Sequence, residues 1–350
     1  MRHVLRVAIL LLGLGALVSC AAHTRATSPS VKEGFESEPI NPAFWTCLRP
    51  ENAFEITGEQ ARSGKSSLKL TIRKLPLFEH LQAPETILKA ATTCMAALTK
   101  EEAKQYLNDE SERAELRELK KQSPHFTDDI YYGFSLLIPR KSAPLGDFNR
   151  MVLAQWKLQR EKPLPPDSPT YDSPFLAIRV TGGFFHIMLT VKAALKDDAA
   201  QAPSDCRVLL AFTQETPPNH ASPLNLMDPE RCESRLNYEL NQGQPAPPKT
   251  LKINRMAYLP NPWDAHGKAS WIDLIFHIKS GEKGEVDLWA NGNLIAKATG
   301  WIGYEGIDHA EDLQYFKVGP YRDPAGYDTI IYLDNLARGH SYDEVDPGKF

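Results

Sequence analysis

Three short stretches carry residue types that can hold anions and move protons. In YFKVGPYR (315–322), extended backbone would send Tyr315, Lys317, Gly319 and Tyr321 to one side and Phe316, Val318 and Pro320 to the other. In MVLAQWKLQ (151–159), Val152, Ala154, Trp156 and Leu158 would share one side, with Gln155 and Lys157 opposite. In ERAELRELKK (112–121), Arg113, Glu115 and Arg117 alternate with Ala114 and Leu116, although local propensity here favours a helix. Strands presenting such residues together would make a polar, partly cationic face suited to an extended anionic polymer. Arginine offers a planar fork to carboxylate or sulfate, and lysine a point charge. Glutamine can donate without adding charge, and a tyrosine made more acidic by cationic neighbours can transfer a proton. On this reading one side of each strand is core, Trp156 included, and Gly319 leaves room between the phenols.

The elements that must position these residues are mostly strands. ARSGKSSLKLTIRK (61–74) turns and then alternates Leu68, Leu70 and Ile72 with polar residues. DIYYGFSLLIP (129–139) is rich in aromatic and branched residues and stops at Pro139. FLAIRV (175–180) and FFHIMLTV (184–191) flank Gly182-Gly183, and VDLWANGNLIAKA (286–298) contains Asn291-Gly292; both read as hairpins. WIDLIFHIK (271–279) and TIIYLDNLARG (329–339) complete the set. Two stretches differ. Residues 75–110 are rich in helix formers, with Thr99 and Glu102 at capping-box spacing, and read as a helical insertion. Residues 196–250, rich in Pro, Asn, Gln and Asp, read as a long loop insertion. Many short strands with turn chemistry and no βαβ alternation predict an all-β fold. The specific expectation is one antiparallel β-sandwich jelly roll, concanavalin-like, over 31–350 with those two insertions.

Composition is globular, 42% hydrophobic and 24% charged in 350 residues, enough for one large domain. The net charge of −4 gives no reason to expect a nucleic-acid partner. The N-terminus reads as a targeting segment: MRHVLR, then the apolar run VAILLLGLGALV, short for a membrane span. Leu17-Val18-Ser19-Cys20 resembles a bacterial lipobox, so 1–20 is expected to be a lipoprotein signal peptide with Cys20 lipidated, and 21–30 a flexible tether. Without Arg2 and Arg6 the mature chain has 38 basic against 44 acidic residues, a net −6. The expected location is outside the cytoplasm, lipid-anchored to the cell envelope; with Ala21 after the cysteine, that means the outer membrane in a Gram-negative host. Four further cysteines in an exported chain suggest two disulfides, with Cys47–Cys94 and Cys206–Cys232 favoured among three connectivities. No CxxC spacing supports a zinc site. No cofactor is expected; structural calcium is conceivable, without a visible ligand cluster. The chain is expected to act as a monomer.

RAELRE (113–118), QWK (155–157) and YFKVGPY (315–321), in this order, resemble the three signature regions of family-seven alginate lyases, R-[ST]-E-L-R-E, Q-[IV]-H and Y-F-K-x-G-x-Y. The wider context is similar to heparin-lyase-like polysaccharide lyases: GFE (34–36), ARSGKSSLKL, DIYYGFSLLIP, LAQWK, WIDLIFHIKSGEKGEVDLWANG and the closing YLDN. The resemblance spans most of residues 34–340 outside the insertions. It implies a lyase that cleaves an acidic, uronate-containing polysaccharide by β-elimination. It also implies residue roles. Arg113, Arg117 and Gln155 would bind the uronate carboxylate or the neighbouring sugar, and Glu115 would orient the arginines. Tyr321 would be the acid, or both acid and base. Lys317 would hold substrate or make Tyr321 more acidic, with Tyr315 beside it. The family's Q-x-H histidine is Lys157 here, which could neutralise a carboxylate more readily than serve as base; His186 is a second candidate for the missing role. The resemblance also implies that ERAELRELKK is a strand, starting after Asn108-Asp109.

Competing readings are weaker. EVDLWA (285–290) begins like the E-x-D-x-x-E of laminarinase-type hydrolases but ends in Ala290. No G-x-S-x-G element or Gly-rich phosphate loop occurs. A non-catalytic carbohydrate-binding lipoprotein on the same fold is the alternative: it needs the cationic face but no proton-transfer group. Trp263, Trp271 and Trp289 could be sugar platforms, with core packing expected for the latter two.

Overall fold

The computed structural model describes residues 28–48, 53–73, 112–143, 150–159, 174–191, 206–213, 251–303, 311–322 and 325–350. The described residues are nearly all-β, in two antiparallel sheets. The first sheet runs β2 (Trp45–Leu48), β6 (Glu115–Glu118), β16 (Leu313–Arg322), β8 (Arg150–Gln159), β9 (Leu176–Thr181), β10 (Phe184–Val191) and β11 (Cys206–Phe212). The short β5 (Glu112–Arg113) continues β6 along β16. The second sheet runs β3 (Phe54–Thr57), β4 (Ser67–Ile72), β17 (Thr329–Gly339), β7 (Ile130–Leu137), β13 (Ile272–Lys279), β14 (Gly281–Ala290), β15 (Asn293–Ile302) and β12 (Lys252–Arg255). β1 (Val31–Glu33) pairs with the end of β17. The sheets meet at one corner, where Val191 pairs with Ile302, so the sandwich is unclosed.

Between the sheets lies an aromatic core. Trp156 and Phe316 from the first sheet meet Phe276, Tyr132 and Phe134 from the second, with ring centroids 4.6 Å apart for Trp156–Phe276 and 4.9 Å for Tyr132–Phe316. All five are fully buried, and truncating either first-sheet ring to alanine would cost about 3–5 kcal/mol. This packing fixes which side of β8 and β16 faces inward. It therefore fixes that Gln155, Lys157, Lys317 and Tyr315 face away from the core.

Both hairpin signals produce their turns: Gly182-Gly183 (φ 56° and 79°) joins β9 to β10, and Asn291-Gly292 (φ 48° and 78°) joins β14 to β15. Positive φ at both turn residues matches the strand twist of a two-residue hairpin. ERAELRELKK is extended, but as two strands broken at Ala114, followed by a 3-10 turn at Lys120–Gln122. The break has a visible cause. Ala114 N–H donates to Pro320 O at 2.8 Å, and Ala114 O approaches so closely that a Cβ on Gly319 would lie 2.1 Å from it. Gly319 (φ 131°) thus admits the neighbouring backbone rather than leaving space between phenols. Part of the stretch read as a loop insertion is a strand: CRVLLAF (206–212) pairs with β10. The expected helical insertion at 75–110, the lipobox and Cys20, and residues 214–250 lie outside the described residues. So do Cys94 and Cys232, and both disulfide pairings with them.

Candidate active site

The register of the first sheet places the signature residues in rows across its outer face. Arg117, Lys317 and Gln155 are direct neighbours on β6, β16 and β8. Tyr315 faces Lys157 one step along. In the other direction Arg113 pairs with Tyr321. The Arg113 guanidinium lies 4.7 Å from the centre of the Tyr321 ring, and Arg150 lies 5.8 Å from it. Arg117 stacks on Tyr315 in the same way at 4.8 Å. The three signature segments therefore converge, as alternation on strands requires.

Glu115 is the hub of this face. It is completely buried and accepts a hydrogen bond from Gln155 Nε2. Its other oxygen lies 3.9 Å from both Arg113 Nη1 and Lys317 Nζ. Glu115 thus orients Gln155, Arg113 and Lys317, a partner set different from the two arginines the sequence suggested. Lys317 is 4% exposed. Burial pushes its ammonium down to about 7; Glu115 opposes this, while Lys157, Arg113 and Arg117 add repulsion. A group so poised gains its charge most readily when a carboxylate arrives to share it.

Two further arginines join the face. The pairing of β8 with β9 shifts between Val152 and Ala154, so a bulge reverses the side on which earlier β8 residues lie. Met151 and Leu153 enter the core cluster and Val152 does not, contrary to simple alternation. Arg150 thereby reaches the Tyr321 ring. Val152 pairs with both Tyr321 and Arg179, and Arg179 pairs with His186. One row therefore reads Arg113, Tyr321, Val152, Arg179, His186. Sequence reasoning missed Arg150 because period-two counting carries no sign of a bulge, whereas Arg179, opposite His186 across the Gly182-Gly183 hairpin, was legible from that turn's register and was overlooked. His186 is on the right face but lies three strands from Tyr321, roughly 14 Å at ordinary strand spacing. It is 1% exposed, and its Nδ1 bonds the Phe184 carbonyl at 3.0 Å. Burial, with Arg179 adding repulsion, lowers it to about 4. That environment suits a neutral, structural imidazole.

The opposite side of β6 carries a second buried carboxylate. Glu118 accepts from Arg338 Nη1 and from the Phe316 N–H at 3.1 Å, and Tyr132 Oη approaches it at 3.5 Å. Arg338 also donates to the carbonyls of Gln122 and Pro29 at 2.6 and 2.7 Å. Burial raises Glu118 to about 7 despite Arg338 and the Phe316 amide. Among the tryptophans, Trp263 is buried and donates to Ile138 O at 2.7 Å, with Arg140 stacked 4.4 Å from its ring, so it serves packing.

The fold and site define an unclosed antiparallel two-sheet sandwich with a cationic, tyrosine-bearing outer face, a surface that suits an anionic chain. The sequence model of the family described as "Polysaccharide lyase" matches residues 45–337, so the chain belongs to the polysaccharide lyases. Its fold is shared with an endo-β-1,4-glucuronan lyase from the fungus Trichoderma reesei (12% identity, 92% of this chain and 99% of that one, TM-score 0.50). Lesser likeness extends to an alginate lyase from Klebsiella pneumoniae (10% identity, 86% and 97%, TM-score 0.42) and to alginate lyase AlgAT5 of family seven (12% identity, 85% and 94%, TM-score 0.39). No curated protein matches the chain.

Proposed function

We propose that this polysaccharide lyase cleaves a uronate-containing anionic polysaccharide on the outer face of its first sheet by β-elimination. Gln155, Arg113, Arg117 and Lys317 bind and neutralise the uronate carboxylate, so that negative charge developing there as C5 loses its proton is met by fixed donors. The C5–H pair becomes the C4=C5 double bond, the C4–O4 bond breaks, and the Tyr321 hydroxyl gives its proton to O4. Tyr321, starting as its phenolate, accepts the C5 proton before passing it to O4; the burial and remoteness of His186, and the five β8 positions that separate Lys157 from Val152, the partner of Tyr321, argue against those two as the base. Glu115 positions donors and does not react. Lys157 and Tyr315 hold the adjoining sugar.

The observation that carries this reading is the placement of Tyr321 between two guanidiniums on the same face as the Glu115-centred cluster. The substrate is an acidic chain, not a nucleic acid. The enzyme acts as a monomer in the cell envelope, anchored through a lipid on Cys20. The test is a panel of uronate polymers (alginate, glucuronan, heparin-like glycosaminoglycans) followed by the ultraviolet absorbance of unsaturated uronate. At least one polymer is expected to give absorbing product. Binding without product on every uronate polymer would establish a non-catalytic carbohydrate-binding protein instead.

A further inference from the structure

The outer face of the second sheet holds a polar row that elimination does not use. Tyr131, His277, Asp287 and Lys297 are direct cross-strand neighbours on β7, β13, β14 and β15. Glu285, two residues before Asp287 on β14, shares its face. One ligand atom from each of His277, Asp287 and Glu285 falls within 4.8 Å of the others. His277 and Asp287 are 6% and 5% exposed, yet His277 Nδ1 and Asp287 Oδ1 are buried without a hydrogen-bond partner. Unpaired buried polar atoms of this kind are costly unless something outside the hydrogen-bond network satisfies them.

We propose that His277, Asp287 and Glu285 bind a single first-row divalent cation. His277 Nε2 bonds Asp129 Oδ1 at 2.5 Å. A carboxylate there fixes the ring proton on Nε2 and leaves the Nδ1 lone pair for a metal, the usual outer-sphere support of a histidine ligand. His277 Nδ1 faces Asp287 Oδ2 at 3.9 Å, too long for a hydrogen bond and open enough for an ion between ligands. Lys297 Nζ holds Asp287 Oδ2 at 2.8 Å and leaves Oδ1 available. Three carboxylates (Asp129, Asp287, Glu285) stand against two ammoniums, Lys297 and the exposed Lys279 opposite Glu285, so the row keeps an excess of negative charge for a cation. Tyr131 stacks on the imidazole with centroids 4.6 Å apart and holds its plane. One imidazole nitrogen with carboxylate oxygens suits zinc or manganese better than calcium, which takes oxygen ligands.

The rival explanation is a protonated imidazole bridging Asp129 and Asp287 with no ion. Adding Zn2+ to the chelator-stripped full chain, with bound metal and melting temperature measured, separates the two. The proposal expects one retained equivalent and, at about 100 times the dissociation constant, a rise of roughly 3–6 °C. Glu285→Gln, at a half-buried position, is expected to weaken binding at least roughly tenfold. Lys297→Met, which removes the competing ammonium, is expected to keep or tighten it. No retained metal and no shift in the wild type would leave the imidazolium explanation and overturn the proposal. Binding unchanged in Glu285→Gln would overturn it too, by placing the ion elsewhere. Neither outcome bears on lyase activity at the opposite sheet.

Discussion

Glu115 and Glu118 lie three residues apart on one strand, equally inaccessible to water, and on opposite faces of it. Glu115 looks outward into a crowd of cations and gathers Gln155, Arg113 and Lys317 around one carboxylate. Glu118 looks inward, where Arg338, the Phe316 amide and Tyr132 surround it among aromatic rings. The outward cluster carries more positive than negative charge, and an arriving uronate can complete it. The inward cluster is closed, with its cation committed to Glu118 and to two carbonyls. Burial alone therefore does not mark a functional carboxylate; what separates the two is whether their partners still have charge to offer a ligand.

Four substitutions would break or sharpen this contrast. The largest effect on activity among these four is expected from Gly319→Ala. Its Cβ would overlap Ala114 O, in a backbone region that disfavours a side chain, so β5 and β6 must move away from β16. A displacement of about 1 Å there should lower kcat/KM by roughly 100-fold or more, measured on whichever polymer the wild type cleaves. Glu118→Ala should cost about 3–5 kcal/mol in denaturant unfolding, because Arg338 is left buried without its carboxylate. Activity per folded molecule should change little. Glu115→Gln should do the reverse. Stability should be nearly kept, while kcat/KM falls roughly tenfold, as expected for a lost charged hydrogen bond in a site. Glu115 also holds the Lys317 charge in place, so the fall of kcat/KM with rising pH through about 7 should move to lower pH in this variant.

The smallest effect is a pH difference in stability. The folded-state value of Glu118, about 7, stands above its ordinary 4.5. The native state therefore holds this proton more tightly than the unfolded chain. Stability from this source is fully present below about 4.5 and is lost as pH rises through about 7. Glu118→Gln mimics the protonated form at every pH. The stability of the wild type relative to this variant should decline between pH 4.5 and 7, measured by urea unfolding at several pH values. A flat difference would mean that Arg338 keeps Glu118 ionised throughout.

Much of the site was legible because strands turn spacing directly into facing. Arg113, Glu115 and Arg117, Gln155 and Lys157, and Lys317 and Tyr321 each share a face at period two, and the register brings the three sets together. The same rule failed at Val152, since one bulge on β8 reverses the count and delivers Arg150 unannounced. CRVLLAF was passed over because a short apolar run inside Pro- and Asn-rich surroundings has no periodicity to declare it. The Glu118–Arg338 and Asp129–His277 contacts span 220 and 148 residues, and a pairing of that range has no local signature. Gly319 was read for the space it leaves, whereas its role depends on a backbone approach visible only once β5 and β16 are paired.

The most direct test of the central claim compares wild type with Tyr321→Phe on a uronate polymer that the wild type cleaves. Enzyme is held in excess, so that one turnover is seen. Polymer binding is measured alongside by calorimetry. The account predicts that the variant binds as tightly as the wild type, while formation of unsaturated uronate slows by roughly 10²–10⁴-fold, the range expected for removing a proton-transfer group. Unsaturated product formed by Tyr321→Phe at the wild-type rate would contradict it.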